Sequence, residues 1–228
     1  MCVIRKLVIA LASSLAIDSV QAETFTIPDL LKDFTVTVTA TCDAWECEGP
    51  ARIRLTAKGK KASQILRTPD IASQLSKTGD FPYSTDASSH QDESAIVADD
   101  FNFDGFTDIA LRNKRNAAYG LSSYDIYLQN PRSRQFSKSE ELTELATGKM
   151  GLFYVDKASK SLIAYERSGY TWWQTSRYRS GPGKNLILLS SEEVDVSHDG
   201  NYARVTTYSQ SSRKWETRTV SCPSDGYC

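Results

Sequence analysis

Residues 93–113 read "ESAIVADDFNFDGFTDIALRN". An apolar, β-branched run leads into five oxygen-bearing side chains, and a second apolar run leaves them. The flanks are too short and too rich in Ile and Val for helices, so this is strand, acidic turn, strand. Within the turn, Asp100, Asn102 and Asp104 alternate with phenylalanines, Gly105 follows, and Asp108 closes the series. Like charges this close repel unless a cation sits among them. Oxygens at the first, third, fifth and ninth positions, with the Phe106 carbonyl at the seventh, are a calcium-loop pattern, and Gly105 supplies the sharp bend. The twelfth position is Leu111, not the Glu of an EF-hand. Hard oxygen donors without His or Cys favour calcium over a transition metal. A plain acidic turn, its Asp and Asn side chains capping backbone groups, is the competing reading.

Outward from this turn, period-two alternation dominates. "FTVTVTA" (Phe34 to Ala40) and "ARIRLTA" (Ala51 to Ala57) flank a Cys42–Cys47 loop and predict a hairpin. "YDIYLQN", "QFSKSEEL", "LFYVD", "SLIAYERS", "YTWWQTSRYRS", "NLILLSSEEVDVS", "YARVTTYSQ" and "KWETRTVS" add strands, separated by turn signals. About a dozen short strands predict an all-β barrel, sandwich or propeller. "ELTELA" (Glu141 to Ala146) has room for one helical turn. Lys77 to Glu93 is the longest expected loop.

The first residues read as an export signal. Arg5 and Lys6 precede "LVIALASSLAI", which is too short to span a bilayer, and Val20 and Ala22 sit where a signal peptidase needs small residues. Residues 1–22 are therefore expected to be a cleaved leader and 23–228 a single domain of 206 residues (228 − 22), in the periplasm of a Gram-negative cell. Loss of Arg5, Lys6 and Asp18 moves the formal charge from −1 to −2. That balance argues against a nucleic-acid partner, which needs a basic face. No other stretch is apolar enough for a membrane anchor. Cys42, Cys47, Cys222 and Cys228 remain after the leader, so two disulfides are expected; of the three connectivities the local pairs Cys42–Cys47 and Cys222–Cys228 are favoured, because each brackets a short turn-rich segment. A zinc site is the competing reading, but only His90 and His198 could assist it.

Evidence for catalysis is absent from the motifs. Neither His90 nor His198 has a nucleophile-elbow context, and Glu192 and Glu193 read as strand-end surface charge. "VDVSHDGNYAR" (Val194 to Arg204) echoes the acidic loop through Asp195, Ser197 and Asp199, but Ala203 stands at the ninth position, so Asp199-Gly200 reads as a hairpin turn. The stretch Arg167 to Lys184 is dense in Tyr170, Trp172, Trp173, Tyr178 and arginines, the side chains that dominate binding surfaces. Two adjacent tryptophans on a strand point to opposite faces, so one is expected in the core.

The acidic loop is similar to the strand–loop–strand calcium sites of integrin-type β-propeller repeats. Together with "YDIYLQN", "QFSKSEEL" and "ERSGY", it makes the chain from about Ser94 onward resemble the periplasmic inhibitors of invertebrate-type lysozymes. More closely it resembles the immunity proteins paired with peptidoglycan-hydrolase effectors of type IV secretion systems, the Xanthomonas group among them. The resemblance implies a small β-propeller-like domain, one bound calcium and inhibition of a lysozyme-like hydrolase by a loop inserted into its cleft. Here the loop is Ser168, Gly169 and Tyr170, with Tyr170 following the glycine directly where the inhibitors space it by one or two residues. A monomeric, non-enzymatic inhibitor is the first expectation. A calcium-dependent secreted carbohydrate-binding or adhesive module, using the aromatic cluster, is the second.

Overall fold

The computed structural model describes residues 22–88, 94–114, 117–181 and 185–223. The chain is built almost wholly from antiparallel strands, gathered into three open sheets that follow one another along the sequence.

The first sheet takes β1 (Ala22–Ile27), β2 (Phe34–Asp43), β3 (Glu46–Ala57) and β4 (Ser63–Thr68) in order, with β5 (Ser73–Gln74) beside the start of β3. The predicted hairpin is β2–β3. Phe34, Val36, Val38 and Ala40 are buried along one face of β2, while Thr35 to Thr41 alternate outward. Cys42 and Cys47 are register partners at the mouth of the hairpin and form a disulfide with an S–S distance of 2.08 Å. Cys222 is also disulfide-bonded; its expected partner Cys228 lies outside the described residues, as do His90 and residues 1–21 of the expected leader. β1 and β4 had no clear sequence signal, β4 because its alternation buries only Leu66 and Thr68.

The middle sheet is ordered β10 (Phe136–Lys138), β9 (Ser123–Gln129), β8 (Asp108–Lys114), β7 (Ile96–Asp99), β6 (Tyr83–Ser84). All of β7 is buried, because both faces are covered. Ile96, Ala98, Ile109 and Leu111 face the first sheet, packing with Val36, Val38 and Ile53. Val97, Ala110, Tyr124 and Ile126 face the other way, into a second core. Arg112, fully buried, ties the first two sheets: its Nη1 donates to the Ala72 carbonyl at 2.6 Å, and Thr68 Oγ1 donates to the Arg112 carbonyl at 2.7 Å.

That second core is filled by α1 (Glu140–Gly148) and the start of the third sheet. "QFSKSEEL" is not one strand. It stops at Lys138, where Ser139 caps α1 by accepting a hydrogen bond from the Leu142 amide, and Glu140 and Glu141 occupy the first turn. The expected single turn is thus a nine-residue helix, with Leu142, Leu145 and Ala146 buried.

The third sheet is a meander in chain order: β11 (Tyr154–Asp156), β12 (Ser161–Ser168), β13 (Trp172–Ser180), β14 (Leu186–Val196), β15 (Tyr202–Ser209) and β16 (Lys214–Ser221). Leu162 and Ala164 reach the second core, and Leu186 at the start of β14 packs against it, whereas Val194 with Ala203 and Val205 of β15 forms a small satellite. The expectation of one core tryptophan is corrected here. Trp172 and Trp173 are both half-buried, because this part of the sheet carries only a small apolar satellite and no second sheet-sized core. Trp173 lies against the satellite.

Candidate functional site

The turn between β12 and β13 carries Ser168, Gly169 and Tyr170. Ser168 pairs with Trp172, which leaves three residues to reverse the chain. Gly169 takes φ +65°, a left-handed conformation that suits glycine. The turn is held from two sides. Arg167 Nε donates to the Gly169 carbonyl at 2.9 Å, and the same guanidinium lies over the Tyr170 ring at 5.5 Å. From fifty residues away in sequence, the Tyr119 hydroxyl accepts a hydrogen bond from the Gly169 amide at 2.7 Å. Tyr119 itself sits at φ +61°, an uncommon conformation for a large residue. The Tyr170 ring, 90% exposed, stands at the apex.

Sequence reasoning found the turn and Arg167 but missed Tyr119. Its residues 118–120 form a single 3-10 turn with no periodic signal, and its contact is made only by the tertiary fold. Because that hydroxyl is a single acceptor for the turn, Tyr119→Phe is expected to free the Gly169 amide and to raise its hydrogen-exchange rate about fivefold, the equivalent of ~1 kcal/mol. Amide exchange of Gly169 followed by NMR checks this; an unchanged rate would show that the turn holds its shape without Tyr119.

The acidic turn joins β7 to β8. Its intervening phenylalanines anchor it. Phe101 is fully buried and meets the Phe153 ring edge-on at 5.6 Å, and Phe103 lies partly buried against the same core. The oxygens between them face outward and meet backbone amides. Asp100 accepts from the amides of Asp104 (3.0 Å) and Gly105 (2.8 Å), Asn102 Oδ1 from Asp104 (3.0 Å), and Asp104 Oδ1 from Phe106 (2.9 Å). Asp108 is buried and accepts from the amides of Phe101 (2.9 Å) and Gln129 (2.8 Å). Burial pushes its carboxyl up to about 8; those two amides oppose the rise, and the charges of Asp104 and Asp100 add to it.

The donor set therefore suits a hard cation chemically, and Asp100, Asp104 and Asp108 make no ion pair among the described residues. Also among the described residues, no three His, Cys, Asp or Glu side chains are gathered closely enough to cage a metal. As it stands, the turn has the amide-capped form of the competing reading. The echo at 194–204 is a hairpin turn as expected. Asp199 accepts from Ser197 Oγ and from Asn201, which holds its carboxyl down at about 2, and Asp195 is ion-paired to Arg204 at 2.5 Å.

The two turns lie at opposite ends of β12. Lys157 and Lys160, just before that strand, line a hollow with Asp99, Asp100 and Asp104, and Lys157 pairs with buried Asp99 at 3.2 Å. Eight residues of strand later the chain reaches Ser168, a separation of roughly 25 Å. Whatever the acidic turn does, it does at a distance from Tyr170.

No protein-family model matches the chain, and no curated protein matches it in sequence. A solved structure, that of a Xanthomonas Type IV Secretion System related protein, superposes with a TM-score of 0.65 over 87% of this chain and 93% of that one, at 16% sequence identity. At that identity the likeness shows a shared fold.

Proposed function

We propose that the protein is a periplasmic inhibitor of a lysozyme-like peptidoglycan hydrolase, an immunity protein against a bacterial effector, exported by the leader at 1–22. The observation that carries this reading is Tyr170: a tyrosine 90% exposed at the tip of a turn braced by Arg167 and Tyr119. A muramidase cleft holds carboxylates poised for acid–base work. The Ser168 and Tyr170 hydroxyls would hydrogen-bond them once water leaves, and a turn already fixed loses little entropy on docking. The fold shared with a type IV secretion related protein supports the same direction. Three successive face-packed sheets further support a propeller-like reading, with each sheet as a blade.

The test is clearing of a cell-wall suspension by a lysozyme-like hydrolase, the product of the neighbouring gene first. Stoichiometric suppression of clearing by the exported chain is expected. Clearing by this chain alone, or no suppression of any such hydrolase, would overturn the reading.

Calcium belongs to the same proposal, held by Asp100, Asn102, Asp104, the Phe106 carbonyl and Asp108 as a structural ion that would relieve the repulsion around Asp108. Metal-stripped protein titrated with calcium in a calorimeter should show one saturable site, weakened at least tenfold in Asp104→Ala by loss of a charged ligand. A titration without saturation would leave the turn as an amide-capped bend.

A further inference from the structure

A groove of about 1220 Å³ opens on the face of the third sheet below the Tyr170 turn. Cross-strand register sets its floor: Tyr165 opposes Thr175, Arg167 opposes Trp173, and Ile163 continues the same face toward Tyr154. Tyr154 and Tyr165 meet edge-on at 5.4 Å, and Trp173 lies two residues from Thr175, so three aromatic rings border one trough. Among the described residues, the Tyr165 hydroxyl, the Trp173 indole N–H and the Thr175 hydroxyl have no hydrogen-bond partner.

The charged groups of the lining are already engaged. Asp156 pairs with Arg177 at 2.7 Å, Glu166 with Lys149, and Lys157 with Asp99 and Asp86, while Arg167 is turned to the Gly169 carbonyl. A trough with rings for walls, unspent hydroxyl and N–H groups, and balanced charge suits a ligand that is uncharged, ring-shaped on its faces and polar on its rims. Its volume exceeds the ~300–1,000 Å³ of ordinary small-molecule sites, which favours an elongated ligand over a single ring.

We propose that this groove binds a neutral oligosaccharide, its sugar rings lying on Tyr165 and Trp173 and its hydroxyl or acetamido groups bonded to the Tyr165, Trp173 and Thr175 polar atoms. Sugar faces carry C–H groups that pack on aromatic rings while their equatorial rims hydrogen-bond. The site is separate from the inhibitor reading, and needs no hydrolase to be tested.

Chitohexaose and cellohexaose, titrated into the whole exported chain, supply the probe; tryptophan fluorescence and calorimetry supply the readout. Saturable binding of at least one of them is expected, with a change in Trp emission. Tyr165→Ala, at a half-exposed ring, should weaken it about tenfold and Thr175→Val about threefold, both with melting temperatures near wild type. No saturable binding of either oligosaccharide, or equal binding by wild type, Tyr165→Ala and Thr175→Val, overturns the proposal. So does a groove that takes an apolar peptide and neither sugar. If Tyr165→Ala fails to fold, Thr175→Val alone decides between these outcomes.

Discussion

Tyr170→Ala is expected to weaken inhibition of the target hydrolase at least thirtyfold. Truncation removes both the ring that would fill apolar space in the cleft and the hydroxyl that would meet a carboxylate, and losses of ~2 kcal/mol or more are typical at such central aromatic residues. The loss should come without a change of fold, because the ring is 90% exposed and rests against the Arg167 guanidinium rather than in the core. Tyr170→Phe separates the two contributions: it keeps the ring and should recover part of the affinity. Inhibition constants for the three proteins against one hydrolase, alongside thermal melts, make the measurement. Equal inhibition by wild type and Tyr170→Ala would move the binding surface away from this turn.

The second large effect concerns stability against pH. Asp108 ionises near 3.8 in its ordinary setting and at about 8 in the fold, with burial the first cause. Between those values the folded chain keeps a proton that the unfolded chain has released. Its stabilising share is complete below pH 3.8 and is lost as pH rises toward 8, by up to ~1.4 kcal/mol per pH unit. Metal-stripped wild type should therefore melt progressively lower from pH 5 to pH 9. Asp108→Asn should flatten that slope, while being less stable at pH 5 because an amide side chain offers one acceptor where the carboxyl serves both Phe101 and Gln129. Added calcium should raise the melting temperature more at pH 8 than at pH 5. Parallel slopes for wild type and Asp108→Asn would show that Asp108 is not the group responsible.

Much of the architecture is legible in the sequence because period-two patterning survives wherever one face of a strand is covered. Val36, Val38, Ile53 and Leu55 announce the β2–β3 hairpin, and Cys42 and Cys47 mark its mouth. The strands of the third sheet are legible instead from their β-branched and aromatic runs and from the turns at Gly169 and Gly200, since β16 is exposed along nearly its whole length. What lies beyond one strand and its neighbours is not. Continuous burial of Ile96, Val97 and Ala98 says that both faces are covered, yet not by what; the first sheet covers one and α1 with β12 the other. The length of α1 was hidden because Ser139 ends a strand and begins a helix within one polar run, and capping, not periodicity, decides the boundary.

The site divides in the same way. Ser168-Gly169-Tyr170 and the Asp100–Asp108 turn are local motifs, and each folds as a tight turn between strands. The amide capping of the acidic oxygens is also local, and was the alternative reading of the same residues. Tyr119 was invisible because its hydrogen bond to Gly169 spans fifty positions. The groove was only half visible: Tyr165, Thr175 and Trp173 meet through β12–β13 register, which no motif specifies.

On the proposed function, Tyr170 occupies the catalytic cleft of a lysozyme-like hydrolase. A photo-crosslinking phenylalanine derivative installed at position 170 tests it most directly. After irradiation of the complex, peptide mapping should place the covalent bond on hydrolase residues lining its catalytic carboxylates, and the linked hydrolase should be inactive. Cross-links confined to surfaces outside the cleft, or a linked hydrolase that still clears cell walls, would contradict the account.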